Sequence, residues 1–245
     1  MRAKRGTALV TGVGRREGIG FEVCRRLAQE GFMVILTART LEKARPLAEE
    51  LSADGLDVEP VALDVTHVGR RRGVVEYVRT RAGALDVLVN HAAGSGHAGE
   101  TVEGADLSDA RIAFETTVLA SWGLTQAFLP LLRESAHPRI VNVSSGAGSY
   151  GDMAFGLRTG NGVGPSYAVA KAALNALTVL MAKELADSKV LVNAVCPGFT
   201  ATFPGAEQMG ARPVTEGAAS VIWAAMLPDD GPRGGLFRDG KEVPW

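Results

Sequence analysis

Thr7-Ala8-Leu9-Val10-Thr11-Gly12-Val13-Gly14-Arg15-Arg16-Glu17-Gly18-Ile19-Gly20 is the stretch whose reading decides the fold. A short apolar run ends in a glycine-rich turn, and the turn opens onto an amphipathic segment from Gly18 to Glu30. The next run is Met33-Val34-Ile35-Leu36-Thr37, so the order is strand, helix, strand. Outward from there the alternation continues. Strands are expected at 58–63, 85–89, 139–144 and 190–196, and helices near 41–53, 66–81, 108–135, 166–186 and 213–227. Strands that are apolar almost throughout predict a parallel sheet covered by helices on both faces. No proline- or serine-rich linker and no repeat interrupts this rhythm, so residues 1–245 read as a single doubly wound α/β domain. The irregular stretch from Gly146 to Pro165 contains Tyr150, Met153, Phe155 and Leu157 and reads as a loop packed near the site.

In a sheet of this kind the turn after the first strand is where a pyrophosphate binds, because glycines admit the anion and helix N–H groups face it. Gly12, Arg15, Arg16, Gly18 and Ile19 are the candidate contacts. A strict G-x-G-x-x-G fails, since Glu17 takes the last position; the strand-turn-helix context carries the reading instead. After the second strand an NAD site would place an acid on the ribose 2′-hydroxyl, but the sequence gives Thr37-Ala38-Arg39-Thr40. Arg39 suits a 2′-phosphate, with Arg15 and Arg16 adding positive charge, at about 1.5–3 kcal/mol per charged hydrogen bond. The expected cofactor is therefore NADP(H), and the domain is of Rossmann type with cofactor and substrate sites together.

The chemistry is expected at Ser166-Tyr167-Ala168-Val169-Ala170-Lys171. Four residues of helix put phenol and ammonium on one face, roughly 5–6 Å apart at Cβ. A tyrosine titrates near ~10 in isolation, and an adjacent cation favours its phenolate, bringing proton exchange closer to neutral pH. Ser145 ends a strand that opens onto the same crevice.

The ordered set of glycine-rich turn, Asn90-His91-Ala92-Ala93-Gly94, Ile140-Val141-Asn142-Val143-Ser144-Ser145, Tyr167-x-x-x-Lys171 and Cys196-Pro197-Gly198-Phe199-Thr200-Ala201-Thr202 resembles the short-chain dehydrogenase/reductase family over nearly the whole chain. Gly18 to Cys24, Val34 to Arg39 and Thr125 to Pro130 are similar to its carbonyl-reductase-like branch. The resemblance implies that Ser145 hydrogen-bonds a substrate carbonyl, Tyr167 protonates it, and Lys171 binds the nicotinamide ribose and lowers the tyrosine's pKa. Ser144 is expected to be structural. The resemblance also implies that Asp64 and Val65 line the adenine, that Asn90 and Ala92 pass beneath the cofactor, and that Pro197, Gly198, Phe199, Thr200 and Thr202 meet its nicotinamide half. Three features depart from the family. Five residues rather than three separate Gly12 from Gly18, Thr117 stands where a relay asparagine is usual, and Ser145 and Tyr167 are unusually far apart.

The implied activity is NADPH-dependent reduction of a ketone or aldehyde, with a bulky small molecule as substrate because only Phe203 to Arg212 is left to form a lid. Oxidation of an alcohol by the same residues and non-catalytic NADPH-binding regulation are the alternatives. A net charge of −1 from 26 basic and 27 acidic residues excludes a dominant attraction to nucleic acid or membrane. The clusters Arg2-Ala3-Lys4-Arg5 and Arg70-Arg71-Arg72 read as solvated. No G-x-S-x-G elbow occurs, and His67, His91, His97 and His137 lack the spacing of a triad or zinc helix, so no metal is expected. Cys24 and Cys196 read as reduced, buried thiols, and with no apolar signal or spanning segment the chain is expected to be cytoplasmic. Two helices, around Trp122 to Phe128 and Ala168 to Met181, are apolar nearly all round, which points to a homo-oligomer, dimer or tetramer; coverage by the Gly146 to Pro165 stretch would leave a monomer.

Overall fold

The computed structural model describes residues 5–94, 99–159 and 163–245. Arg2 and Lys4 of the basic cluster, His97 and part of the Gly146 to Pro165 stretch lie outside the described residues. The first elements are β1 (Gly6–Val10), α1 (Ile19–Gln29), β2 (Phe32–Ala38), α2 (Leu41–Ala53), β3 (Val58–Ala62), α3 (Val68–Ala82) and β4 (Val87–Asn90). There follow α4 (Leu107–Phe114), a π-helical turn (Glu115–Leu119), α5 (Ala120–Arg133), β5 (Arg139–Val143), α6 (Pro165–Glu184), β6 (Leu191–Val195), α7 (Val214–Ala225), β7 (Leu236–Arg238) and β8 (Lys241–Glu242). The sheet order is β3-β2-β1-β4-β5-β6-β7-β8. Every neighbouring pair is parallel except β7 with β8.

Alternation along the strands sorts the core into two layers. Ala8, Val10, Val34, Leu36, Val87, Val89, Val141 and Val143 pack with α1, α2 and α7 on one face. Leu9, Ile35, Leu88, Ile140 and Val192 pack with α3, α5 and α6 on the other. The doubly wound arrangement with helices on both faces is thus present, and the six expected strands fall at their expected places.

β7 and β8 correct the sequence reading, which placed no strand after residue 227 and expected parallel strands alone. They are short and carry Arg238, Lys241 and Glu242, so no apolar run marks them. The usable signal was Asp239-Gly240: both residues have positive φ, 53° and 74°, as a two-residue hairpin turn between Arg238 and Lys241 requires. Among the described residues, no helix is long and apolar enough to cross a membrane.

Candidate active site

The sheet order reverses between β1 and β4, and the loops leaving those strands part there to form a crevice. Thr11 stitches the two loops together. Its hydroxyl accepts the N–H groups of His91 (2.9 Å) and Ala92 (3.0 Å) and donates to the Val89 carbonyl (3.3 Å). Gly12 follows at φ 73°, where a Cβ would lie 2.7 Å from the Ala92 Cα, so conformation and close approach both demand glycine. Gly14 faces open space, and Gly18 precedes α1 without a side-chain cap. The first N–H groups of the helix, from Ile19, are therefore available to an anion. His91 donates from Nδ1 to the Thr11 carbonyl (3.0 Å), and desolvation pulls its pKa to about 4, so the ring is neutral at pH 7.

Arg39 is exposed at the carboxyl end of β2, close enough to Asp64 after β3 for its charge to help hold that carboxyl below the usual range. The larger cause there is Thr66, whose hydroxyl (2.7 Å) and N–H (3.0 Å) both donate to Asp64. Val65 is buried beside it. Arg16 reaches Glu50 of α2 at 2.6 Å, while Arg15 lines a cavity of about 450 Å³ with Glu17 and residues 201–205, 207 and 208. The two loop arginines, equivalent in the sequence, are thus differently engaged. The Arg16 pair is exposed and hence weak enough to be exchanged for a phosphate.

β5 ends at Val143, and the chain turns through Ser144 and Ser145. Ser144 donates to Asn175 Oδ1 of α6 (2.5 Å), which makes it structural as expected. Ser145 Oγ accepts the Ala147 N–H (3.1 Å), and its hydroxyl hydrogen-bonds to Tyr167. Gly148 makes this approach possible, since a Cβ there would lie 2.3 Å from the Ala172 nitrogen on α6. Lys171 is buried, donates to the Val143 carbonyl at 2.7 Å, and has its ammonium 5.3 Å from the centre of the Tyr167 ring. Ser145, Tyr167 and Lys171 therefore converge.

The phenol's pKa moves opposite to the expectation from spacing. Burial pushes it up to about 12 against the lowering effect of Ser145, and burial draws Lys171 down to about 8. In this arrangement desolvation dominates the phenol's shift, and the Lys171 ammonium lies against the Val143 carbonyl.

Thr117 lies in the π-helical turn, buried, with Oγ1 accepting the Gly94 N–H (3.2 Å) and its own carbonyl accepting the Ser121 hydroxyl (2.7 Å). Asn90 donates to Asn142 (2.9 Å), which donates to Thr178 (2.9 Å), so its amide braces β4, β5 and α6 beneath the crevice. On the far side, Pro197 to Thr202 leave β6. Thr200 Oγ1 donates toward the carbonyls of Pro197 (3.2 Å) and Gly198 (3.1 Å), and the Phe199 ring packs 6.5 Å from that of Phe203.

Several working residues escaped the sequence reading. Cys196, taken as an inert buried thiol, is an acceptor hub: its Sγ receives N–H groups of Gly146 (3.1 Å), Gly198 (3.4 Å) and the Arg238 guanidinium (3.2 Å). Arg238 also pairs with Asp152 and stacks 5.5 Å over Phe155. The stretch after Ser145 packs near the site as expected, but through Ser149 and Asp152; Tyr150 and Met153 point outward. Long-range pairing of isolated polar residues has no local signature, so only the hairpin turn that follows Arg238 could have hinted at it.

The chain is similar to known proteins over nearly its whole length. The (+)-neomenthol dehydrogenase of Arabidopsis thaliana is 32% identical over 290 residues, covering 96% of each chain. The salutaridine reductase of Papaver somniferum is 32% identical over 307 residues, covering 98% of this chain and 96% of that one. The crystal structure of NADPH-bound carbonyl reductase from chicken fatty liver superposes with a TM-score of 0.86 at 26% identity, covering 99% of this chain and 100% of the other. The family model described as short chain dehydrogenase matches residues 6–210. With its sheet, crevice and converging side chains in that order, the chain belongs to the short-chain dehydrogenase family.

Proposed function

We propose that the chain reduces a ketone or aldehyde to an alcohol with NADPH. The convergence of Ser145, Tyr167 and Lys171 at the carboxyl edge of the sheet carries the reading. The crevice fits a dinucleotide: Gly12 is cradled against Ala92, α1 starts without a side-chain cap, and Arg39 stands where a 2′-phosphate would lie. When bound, NADPH supplies the hydride. Gly12, Gly18 and Ile19 would hold the pyrophosphate with Arg15 and, once released from Glu50, Arg16. Arg39 would take the 2′-phosphate; Asp64 and Val65 would border the adenine; Asn90 and Ala92 would floor the nicotinamide side, with Pro197 to Phe199, Thr200 and Thr202 opposite. The carbonyl-reductase relative is NADPH-bound, which supports the same cofactor here.

Ser145 accepts the Ala147 N–H with one lone pair, and its proton, which faces Tyr167, would turn to donate to a substrate carbonyl oxygen. Tyr167, held protonated at neutral pH, gives its proton to that oxygen as negative charge develops on it. The Lys171 ammonium steadies the resulting phenolate and would hold the ribose. A phenol shifted to about 12 is protonated at neutral pH, so the proton that reduction consumes is in place, whereas alcohol oxidation would need the scarcely populated phenolate. A non-catalytic regulator would have no need to keep the three side chains in contact. The half-exposed Phe203 beside the cavity at Arg15 suits a bulky apolar carbonyl compound.

A panel of ketones and aldehydes followed by NADPH absorbance tests this reading. At least one bulky carbonyl is expected to turn over, and no turnover across the panel would favour the regulator. With an active substrate, kcat is expected to hold through neutral pH and fall as pH rises through about 8. There Lys171 loses its charge, while Tyr167 stays protonated to about 12. A kcat rising through that window would contradict the assignment.

A second copy of the chain is proposed to cover the outer face of α5 and α6, where Trp122 and Leu180 stand exposed beside Leu177 and Met181. Light scattering should find a dimer or tetramer, and Leu180→Glu should shift it to monomer. A monomeric wild-type chain overturns the proposal.

A further inference from the structure

α6 begins without a cap of its own. Gly164 at its N-cap position offers no side-chain acceptor, and Pro165 opens the helix with no N–H to give. The next N–H, that of Ser166, points across the crevice loops to Glu100, donating to its Oε2 at 3.1 Å. The Ser166 hydroxyl donates to Oε1 of the same carboxylate. Ser166 is buried, and the residue after it is Tyr167.

We propose that Glu100 is a positioning residue for Tyr167: from the loop after β4 it supplies the amino-terminal cap that α6 lacks, and so fixes the turn that presents the acid to Ser145. The inference rests on the reductase reading above. A carboxylate is well suited to the task, because it satisfies an orphan N–H and meets the positive end of the helix dipole. Its own loop is braced at the other end. Thr101 Oγ1 accepts the Gly104 N–H (3.0 Å), and Asp106 caps α4 through the Ser108 N–H (2.8 Å). Tyr167 is the third residue of α6, within the turn that loosens first when a cap is lost. A shift of the phenol by a fraction of an ångström is enough to slow proton transfer severely.

The test compares Glu100→Ala and Glu100→Gln with the wild-type chain. It measures kcat and KM on a ketone found in the panel, NADPH affinity by fluorescence titration, and hydrogen exchange at the Ser166 amide. Glu100→Ala is expected to lower kcat about 10-fold and to speed Ser166 exchange by a similar factor, with KM and NADPH affinity within about 2-fold. Glu100→Gln keeps an acceptor for the Ser166 N–H and is expected to recover most of kcat. Wild-type kcat in Glu100→Ala overturns the proposal. So does a loss in which NADPH affinity falls equally and fast exchange spreads along all of α6, the mark of a merely structural role. If the wild-type chain reduces no carbonyl, the functional reading fails by itself. Ser166 exchange still decides the cap, and an unchanged rate in Glu100→Ala overturns it.

Discussion

Tyr167→Phe is expected to bind NADPH as the wild-type chain does and to lose turnover by about 10²–10⁴-fold, the usual contribution of a positioned proton donor. The substitution removes one oxygen and little else. The ring keeps its place in α6 and its contact with the Lys171 ammonium, 5.3 Å from the ring centre, and burial of the site is unchanged. What disappears is the hydroxyl hydrogen-bonded to Ser145, the group proposed to protonate a bound carbonyl. Ser145 remains to polarise the carbonyl but cannot replace the acid, because its proton is far harder to surrender. Single-turnover oxidation of bound NADPH checks the loss, and fluorescence titration checks the binding. Turnover at the wild-type rate would remove Tyr167 from its role.

Arg39→Asp is expected to weaken NADPH by about 10²–10⁴-fold while leaving NADH much less affected. The estimate follows from two charge-assisted hydrogen bonds to a phosphate, each worth about 1.5–3 kcal/mol, lost together. The new carboxylate adds repulsion toward a 2′-phosphate and stands beside Asp64, whose pKa Arg39 now helps to depress. Toward a ribose 2′-hydroxyl the same carboxylate is an acceptor, so NADH gains where NADPH loses. Titrations of both nucleotides decide the matter, and equal losses would dispose of the 2′-phosphate argument.

The part of the molecule legible in its sequence is the part built from local pattern. Apolar runs such as Met33 to Thr37 gave strands at their observed places, and the four-residue interval from Tyr167 to Lys171 gave a shared helix face. Order along the chain placed Ser145 and Arg39 at strand ends. What stayed hidden depends on partners far apart in sequence or on desolvation. Nothing in the spacing of Tyr167 and Lys171 reveals that burial drives their pKa values to about 12 and about 8. Nothing near Thr117 announces a π-helical turn or its bond to Gly94. Arg15 and Arg16 are alike on paper, and only the fold sets Glu50 within reach of one of them. Glu100 and Arg238 carried no motif at all.

The Asp152 to Arg238 pair joins residues 86 positions apart, and the Ser149 hydroxyl reaches the Pro244 carbonyl across 95. During synthesis, β1 to β4 and their loops, which carry the adenine side of the crevice, emerge first, and Lys171 and Pro197 to Thr202 follow much later. The stretch after Ser145 must wait for β7 and β8 before it has anything to close against. The adenine side of the crevice can thus be laid down early, while the wall built on Ser149 and Asp152 closes only when the last strands are made.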